Sequence, residues 1–248
     1  MDRYHVDLDA PGFDRQGTVI RYGHWGRPVV VFPSEAGRAW DYENNGMVDA
    51  VAPLIDAGRI KLYCVDSFDA NTWSDGWLSL EDRARRHGAY SSWITNQVAG
   101  FIGTDSPGAT DAVVTGCSLG AYHALQFALT RADLFPVAIC LSGNYDPSTW
   151  RAWGERGEAT YFSNPTDYVP NLHGSHLDWL RSRVFAVLVA GQGAWETHPT
   201  GALPSTRRMA HLLGSKGIPH ELDLWGYDVS HDWDWWRKQI AHHLPRFC

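Results

Sequence analysis

Short apolar runs rich in β-branched residues recur along the chain: Thr18–Ile20, Pro28–Phe32, Ile60–Val65, Asp111–Thr115, Val137–Leu141 and Val184–Val189. Mostly unbroken apolarity, without polar alternation, predicts strands buried on both faces. Between them lie longer stretches with helical spacing, at 46–57, 80–103, 119–130, 205–217 and 232–243. Strands alternating with helices predict an α/β fold, a mostly parallel central sheet flanked by helices and joined by right-handed crossovers. Segment 143–181 breaks the rhythm with aromatics and turn formers, among them Asn144-Tyr145-Asp146-Pro147, Trp150 and Trp153. It is expected to be a small cap insertion within one domain spanning residues 1–248, lying over the carboxyl ends of the strands, where ligands of such sheets bind.

The strand Ala112-Val113-Val114-Thr115 runs into Gly116-Cys117-Ser118-Leu119-Gly120 and then into the helical stretch Ala121–Leu129. Strand, turn and helix in that order are the context that a G-x-S-x-G nucleophile elbow needs. The turn is so sharp that the serine backbone is strained, and side chains two residues to either side would collide. Ser118 is therefore the candidate nucleophile, and Gly116 and Gly120 are the residues that make room for it.

A serine needs a base, and the base needs an orienting carboxylate. His231 lies after the last strand-like run and before the last helix, the position from which a hydrolase-type sheet delivers its base. His123 sits close to Ser118 in sequence but on the elbow helix, pointing away from the cleft. His24, His87, His176, His211, His242 and His243 read as solvated, while His198 and His220 are left as cleft lining. The acid should follow the strand Val184–Val189. That loop, Ala190-Gly191-Gln192-Gly193-Ala194-Trp195-Glu196, holds no aspartate, which makes Glu196 the candidate and Asp228, three residues before His231, its rival. For a developing oxyanion the expected donors are the backbone N–H of Leu119 and one from Pro33-Ser34-Glu35-Ala36-Gly37. Proline has none, and Glu35 is preferred to Ser34.

Composition narrows the classes. With 21 Lys and Arg against 28 Asp and Glu, the formal charge of −7 offers no basic field for a nucleic acid partner. No apolar run approaches the roughly 20 residues of a membrane span, and the start Met1-Asp2-Arg3-Tyr4-His5 lacks the apolar stretch of a secretory signal, so a cytoplasmic location is expected. Cys64, Cys117, Cys140 and Cys248 are widely spaced and read as reduced thiols. His242-His243 and His173 through His176 are adjacent imidazoles without a carboxylate at helical ligand spacing, so no metal site is expected. The anomaly is 13 Trp. Trp225, Trp233, Trp235 and Trp236 surround His231, Trp195 adjoins Glu196, Trp150, Trp153 and Trp179 fall in the insertion, and Trp40, Trp73 and Trp77, in the loops after the second and third strand-like runs, are placed to extend the same wall. Trp150, Trp153, Trp195 and Trp233 are the expected substrate-binding indoles, with core packing as the competing role, since Trp233, Trp236 and Ile240 have the spacing of a buried helix face.

These motifs resemble the esterase branch of the α/β-hydrolase superfamily, the group containing esterase D-like enzymes and S-formylglutathione hydrolases. The matching stretches are Val29-Val30-Val31-Phe32-Pro33-Ser34, Tyr63-Cys64-Val65-Asp66-Ser67, Gly116 through Ala124, Leu141-Ser142-Gly143-Asn144-Tyr145-Asp146 and His231-Asp232-Trp233-Asp234-Trp235-Trp236. The resemblance implies a cofactor-free serine hydrolase acting on a small-molecule carboxylic ester, with Ser118 and His231 carried over directly. It departs at the acid loop, where many relatives have Gly-x-x-Asp and this chain has Gly193-Ala194-Trp195-Glu196. Acyl transfer to an alcohol and a non-catalytic binding role on the same scaffold are the alternatives. Product analysis with an alcohol acceptor separates the first, and fluorophosphonate labelling of Ser118 the second.

Overall fold

In the computed structural model, which describes all 248 residues, eight strands form one sheet in the order β1-β2-β4-β3-β5-β6-β7-β8. They are β1 (Arg3–Ala10), β2 (Arg15–Tyr22), β3 (Arg27–Phe32), β4 (Ile60–Val65), β5 (Val113–Cys117), β6 (Val137–Leu141), β7 (Phe185–Ala190) and β8 (His220–Leu224). From β4 onward in the sheet every neighbouring pair is parallel, while β1 and β2 form an antiparallel hairpin at one edge. This is the doubly covered α/β sheet that the apolar runs predict. Alternate residues of β3 enter opposite cores: Val30 and Phe32 join a cluster of 41 buried residues on one face, and Val29 and Val31 one of 23 on the other. Burial on both faces is why these strands lack polar alternation. No helix is long and apolar enough to cross a membrane.

β1 is absent from the predicted runs because it is an edge strand: its polar–apolar alternation leaves only Ala10 fully buried. The expected helix 46–57 is two short pieces, Met47–Ala50 and Ala52–Asp56, preceded by a further turn at Asp41–Asn44, and the break between the two falls where Pro53 cannot continue a helix begun before it. The stretch 80–103 is helical from Leu80 to Asp105 with a π-helical segment at Trp93–Val98. Within 143–181, only the first part reaches the cleft. Helix Gly174–Arg183 buries Leu177 and Leu180 in the larger core, so it is the crossover helix between β6 and β7.

Candidate active site

β5 ends at Cys117 and the helix Leu119–Thr130 begins two residues later, leaving Ser118 at the corner with φ 57° and ψ −118°. The two glycines make room for this turn in different ways. A Cβ on Gly116 would lie 2.4 Å from the Gly120 carbonyl, and one on Gly120 would lie 2.4 Å from the carbonyl oxygens of Phe32 and Pro33. Backbone cannot yield there as a side chain could. Gly120→Ala should therefore destabilise the fold by about 1–3 kcal/mol or more, seen as a lower thermal midpoint, and it should push β3's end out of register with the elbow. An unchanged midpoint would contradict this.

His231 Nε2 lies 3.0 Å from Ser118 Oγ, and its Nδ1 lies 3.3 Å from Glu196 Oε2. Nδ1–H facing the carboxylate leaves Nε2 bare to accept the serine proton. The two loops that carry His231 and Glu196 are tied by backbone bonds: Gln192 N–H to Gly226 O, Gly193 N–H to Val229 O, and His231 N–H to Ala194 O. Asp228, the rival candidate, is exposed and makes no hydrogen bond or ion pair with the imidazole, whose carboxylate contact is Glu196.

Two residues that hold the Glu196 carboxylate, Ser142 and Gly191, were not given that role from the sequence. Glu196 is fully buried, and its Oε1 accepts from Ser142 Oγ at 2.6 Å and from the Gly191 N–H at 3.1 Å. Ser142 in turn accepts from Trp236 Nε1 at 3.1 Å. Ser142 follows β6 with φ 53°, a conformation unusual for a non-glycine residue. The Leu141-Ser142-Gly143 stretch was the available signal, but nothing local says that its hydroxyl faces a carboxylate 54 residues away. Trp236 also stands edge-on to His231, with centroids 4.9 Å apart, and Trp233 packs edge-on to Trp236 at 4.9 Å.

The loop after β3 offers one uncommitted donor. Ser34 N–H bonds Asp41 Oδ2, Ala36 N–H bonds Asp69 Oδ2, and Gly37 N–H bonds the Ser34 carbonyl, leaving Glu35 N–H without a partner inside the chain. Leu119 N–H, at the first position of its helix, has no carbonyl one turn back. Both residues line the same cleft as Ser118 and His231.

Behind this loop runs a buried polar chain. Asp69 Oδ1 accepts from His123 Nε2 at 3.0 Å, and His123 Nδ1 lies 3.3 Å from His87 Nε2. His123 thus faces away from the cleft, as its helix position implies. His87 was expected to be solvated and is buried, because Leu80, Ala84, His87 and Tyr90 form one inward face of their helix. Burial, reinforced by His123, pushes the His87 pKa well below the usual histidine range. The unfolded chain therefore binds more protons below about pH 6.5. Stability from neutral His87 is complete above that pH and is lost as pH falls. His87→Gln should flatten the decline in stability from pH 6.5 to 5 by up to about 1.4 kcal/mol per pH unit, measured by urea unfolding at each pH. An identical slope in both proteins would refute it.

His243 is likewise buried, not solvated, with Nε2 at 3.0 Å from Asp223 Oδ2 and Nδ1 at 3.2 Å from the Arg246 guanidinium. Together with His242 these groups bring possible ligand atoms within 4.8 Å of one another. Both His243 nitrogens are already engaged, one by a cation, so the donor set does not suit a metal.

The cleft is about 680 Å³, and only 4 of its 22 lining residues are hydrophobic. Of the expected substrate-binding indoles, Trp150 lines it, edge-on to Trp73 and Tyr122. The other three do not. Trp153 is exposed and donates to the Gly76 carbonyl, Trp195 is exposed beside the acid, and Trp233 backs Trp236. Trp73, by contrast, joins the lining.

The sequence profile of the family described as Putative esterase matches residues 40–247. Among solved structures, a ferulic acid esterase superposes with TM-score 0.74 at 14% identity, covering 99% of this chain and 96% of its own. An S-formylglutathione hydrolase from Agrobacterium tumefaciens gives 0.73 at 16%, covering 98% and 93%, and MPT51 from Mycobacterium tuberculosis gives 0.73 at 14%, covering 99% and 97%. No curated protein matches by sequence. Identities this low speak to the α/β-hydrolase fold alone, but the profile spans most of the chain, which therefore belongs to the Putative esterase family, enzymes acting on ester bonds.

Proposed function

We propose that this esterase is a cofactor-free serine carboxylesterase working through an acyl-enzyme on Ser118. His231 Nε2 takes the proton from Ser118 Oγ as the oxygen attacks the ester carbonyl, and the imidazolium so formed is stabilised by Glu196. Leu119 and Glu35 N–H groups receive the negative charge on the tetrahedral intermediate, each worth about 3–4 kcal/mol by analogy with other such donors. Collapse breaks the ester C–O bond, His231 protonates the departing alcohol, and a water deprotonated by His231 then releases the acid and restores Ser118.

The observation that carries this reading is the unbroken line of contacts from Ser118 through His231 to a buried carboxylate, at a cleft with two unpaired N–H groups. Fluorophosphonate labelling tests it, because only an activated serine reacts. Covalent modification at Ser118 together with turnover of p-nitrophenyl acetate is the expected result. An unlabelled, inactive protein would overturn it.

A further inference from the structure

We propose, building on the esterase reading, that the substrate is an ester bearing a free carboxylate, held by Arg83 and Arg151. Arg83, on the helix Leu80–Ser92, is 3% exposed yet lines the same cleft as Ser118 and His231. Its partners are all neutral carbonyls: Leu78 at 3.0 Å from Nε, Trp73 and Trp150 at 3.2 Å from Nη1, and Arg151 at 3.5 Å from Nη2. The acids of its own helix are spent elsewhere, since Glu81 and Asp82 pair with Arg85 and Glu81 also accepts from Gly157, Ala159 and Thr160. A guanidinium has five N–H groups, two of them on Nη2, which makes only one long contact here. A buried cation without a counter-ion is costly. An anionic ligand would supply what the chain does not.

Arg151 provides the second cation. It is exposed on the cleft, its side chain makes no hydrogen bond or ion pair, and its backbone has φ 48°. Because Arg83 holds the carbonyls of Trp150 and Arg151, the buried guanidinium fixes the turn that presents the exposed one. The acids of the cleft do not compensate. Asp146 is engaged by Ser148, Asn164 and Arg208, and Glu35 accepts from Ser74. The lining thus has three guanidiniums, including Arg208, against two carboxylates, in a chain whose formal charge is −7. A planar carboxylate is the anion that a guanidinium fork matches.

The experiment compares kcat/KM by pH-stat within two pairs that are alike in size and differ in charge: monomethyl against dimethyl glutarate, and O-acetylglycolate against its methyl ester. The first pair puts the carboxylate on the acyl side, the second on the alcohol side. In at least one pair the acid should be favoured at least tenfold, mainly through KM. That preference should fall at least fivefold in Arg151→Gln and in Arg83→Met, with Arg83→Lys keeping part of it. Arg151 is exposed, so its variant remains informative if Arg83→Met fails to fold. Equal or better use of the neutral member in both pairs, or a preference untouched by these variants, would overturn the inference. Fluorophosphonate labelling and p-nitrophenyl acetate turnover, run alongside, keep the readings apart. Their loss in the wild type would refute the esterase mechanism, and their presence without charge preference would refute only the carboxylate subsite.

Discussion

Ser118→Ala should lower kcat for p-nitrophenyl acetate by at least about 10⁴-fold and abolish fluorophosphonate labelling. In the proposed mechanism the variant removes the atom that forms the acyl-enzyme. The neighbouring Cys117 thiol is fully buried and burial pushes its pKa well up, so it supplies no thiolate. The fold should survive. Ser118 Oγ bonds only His231, and alanine keeps the Cβ already tolerated at this backbone angle. A thermal midpoint close to that of the wild type, measured on the same preparation, would show that lost turnover reflects chemistry. Turnover within tenfold of wild type would remove Ser118 from the mechanism.

Glu196→Gln should have the next largest effect, a fall in kcat of about 10³–10⁴-fold with little change in KM. The amide has no good orientation in this site. With its NH₂ toward His231, the Nδ1 must become the acceptor, which moves the imidazole proton to Nε2 and leaves Ser118 no base. With its NH₂ on the other side, it meets the fixed Gly191 N–H, donor against donor. Ser142 can rotate its hydroxyl to adapt, whereas a backbone N–H cannot. Glu196→Asp is also expected to fail, because a side chain one methylene shorter cannot reach His231 while holding Ser142 and Gly191. If Glu196→Gln kept more than a tenth of wild-type kcat, the orienting role would belong to another group, and Asp228→Asn would be the next variant to measure.

These two residues differ in how far the sequence reveals them. Ser118 is legible because its chemistry is local: the strand, the two glycines and the helix that create the strained corner are contiguous, and their steric demands follow from the residue types alone. Glu196 could be reached only by elimination, as the sole carboxylate in its loop. The partners that make it a plausible orienting acid come from β6, from the loop after β7 and from the last helix. Trp153, Trp195 and Trp233 mark the limit of that approach. Their neighbourhood along the chain suggested the cleft, but an indole beside a site in sequence can point outward, hydrogen-bond a carbonyl or back another indole, and the backbone path decides which.

The sequence by itself determined the parallel sheet, through apolar runs too continuous for a half-exposed strand, together with the strained corner at Ser118 and the loops that hold His231 and Glu196. Tertiary structure decided what those residues meet. It buried His87 in a chain with His123 and Asp69, closed Ser142, Gly191 and Trp236 around the acid, and lined the cleft with a guanidinium that has no counter-charge. The division has a physical cause. Backbone periodicity and steric exclusion act between residues a few positions apart and are written in local order, whereas desolvation and charge pairing depend on which distant groups the folded chain brings within a few ångströms.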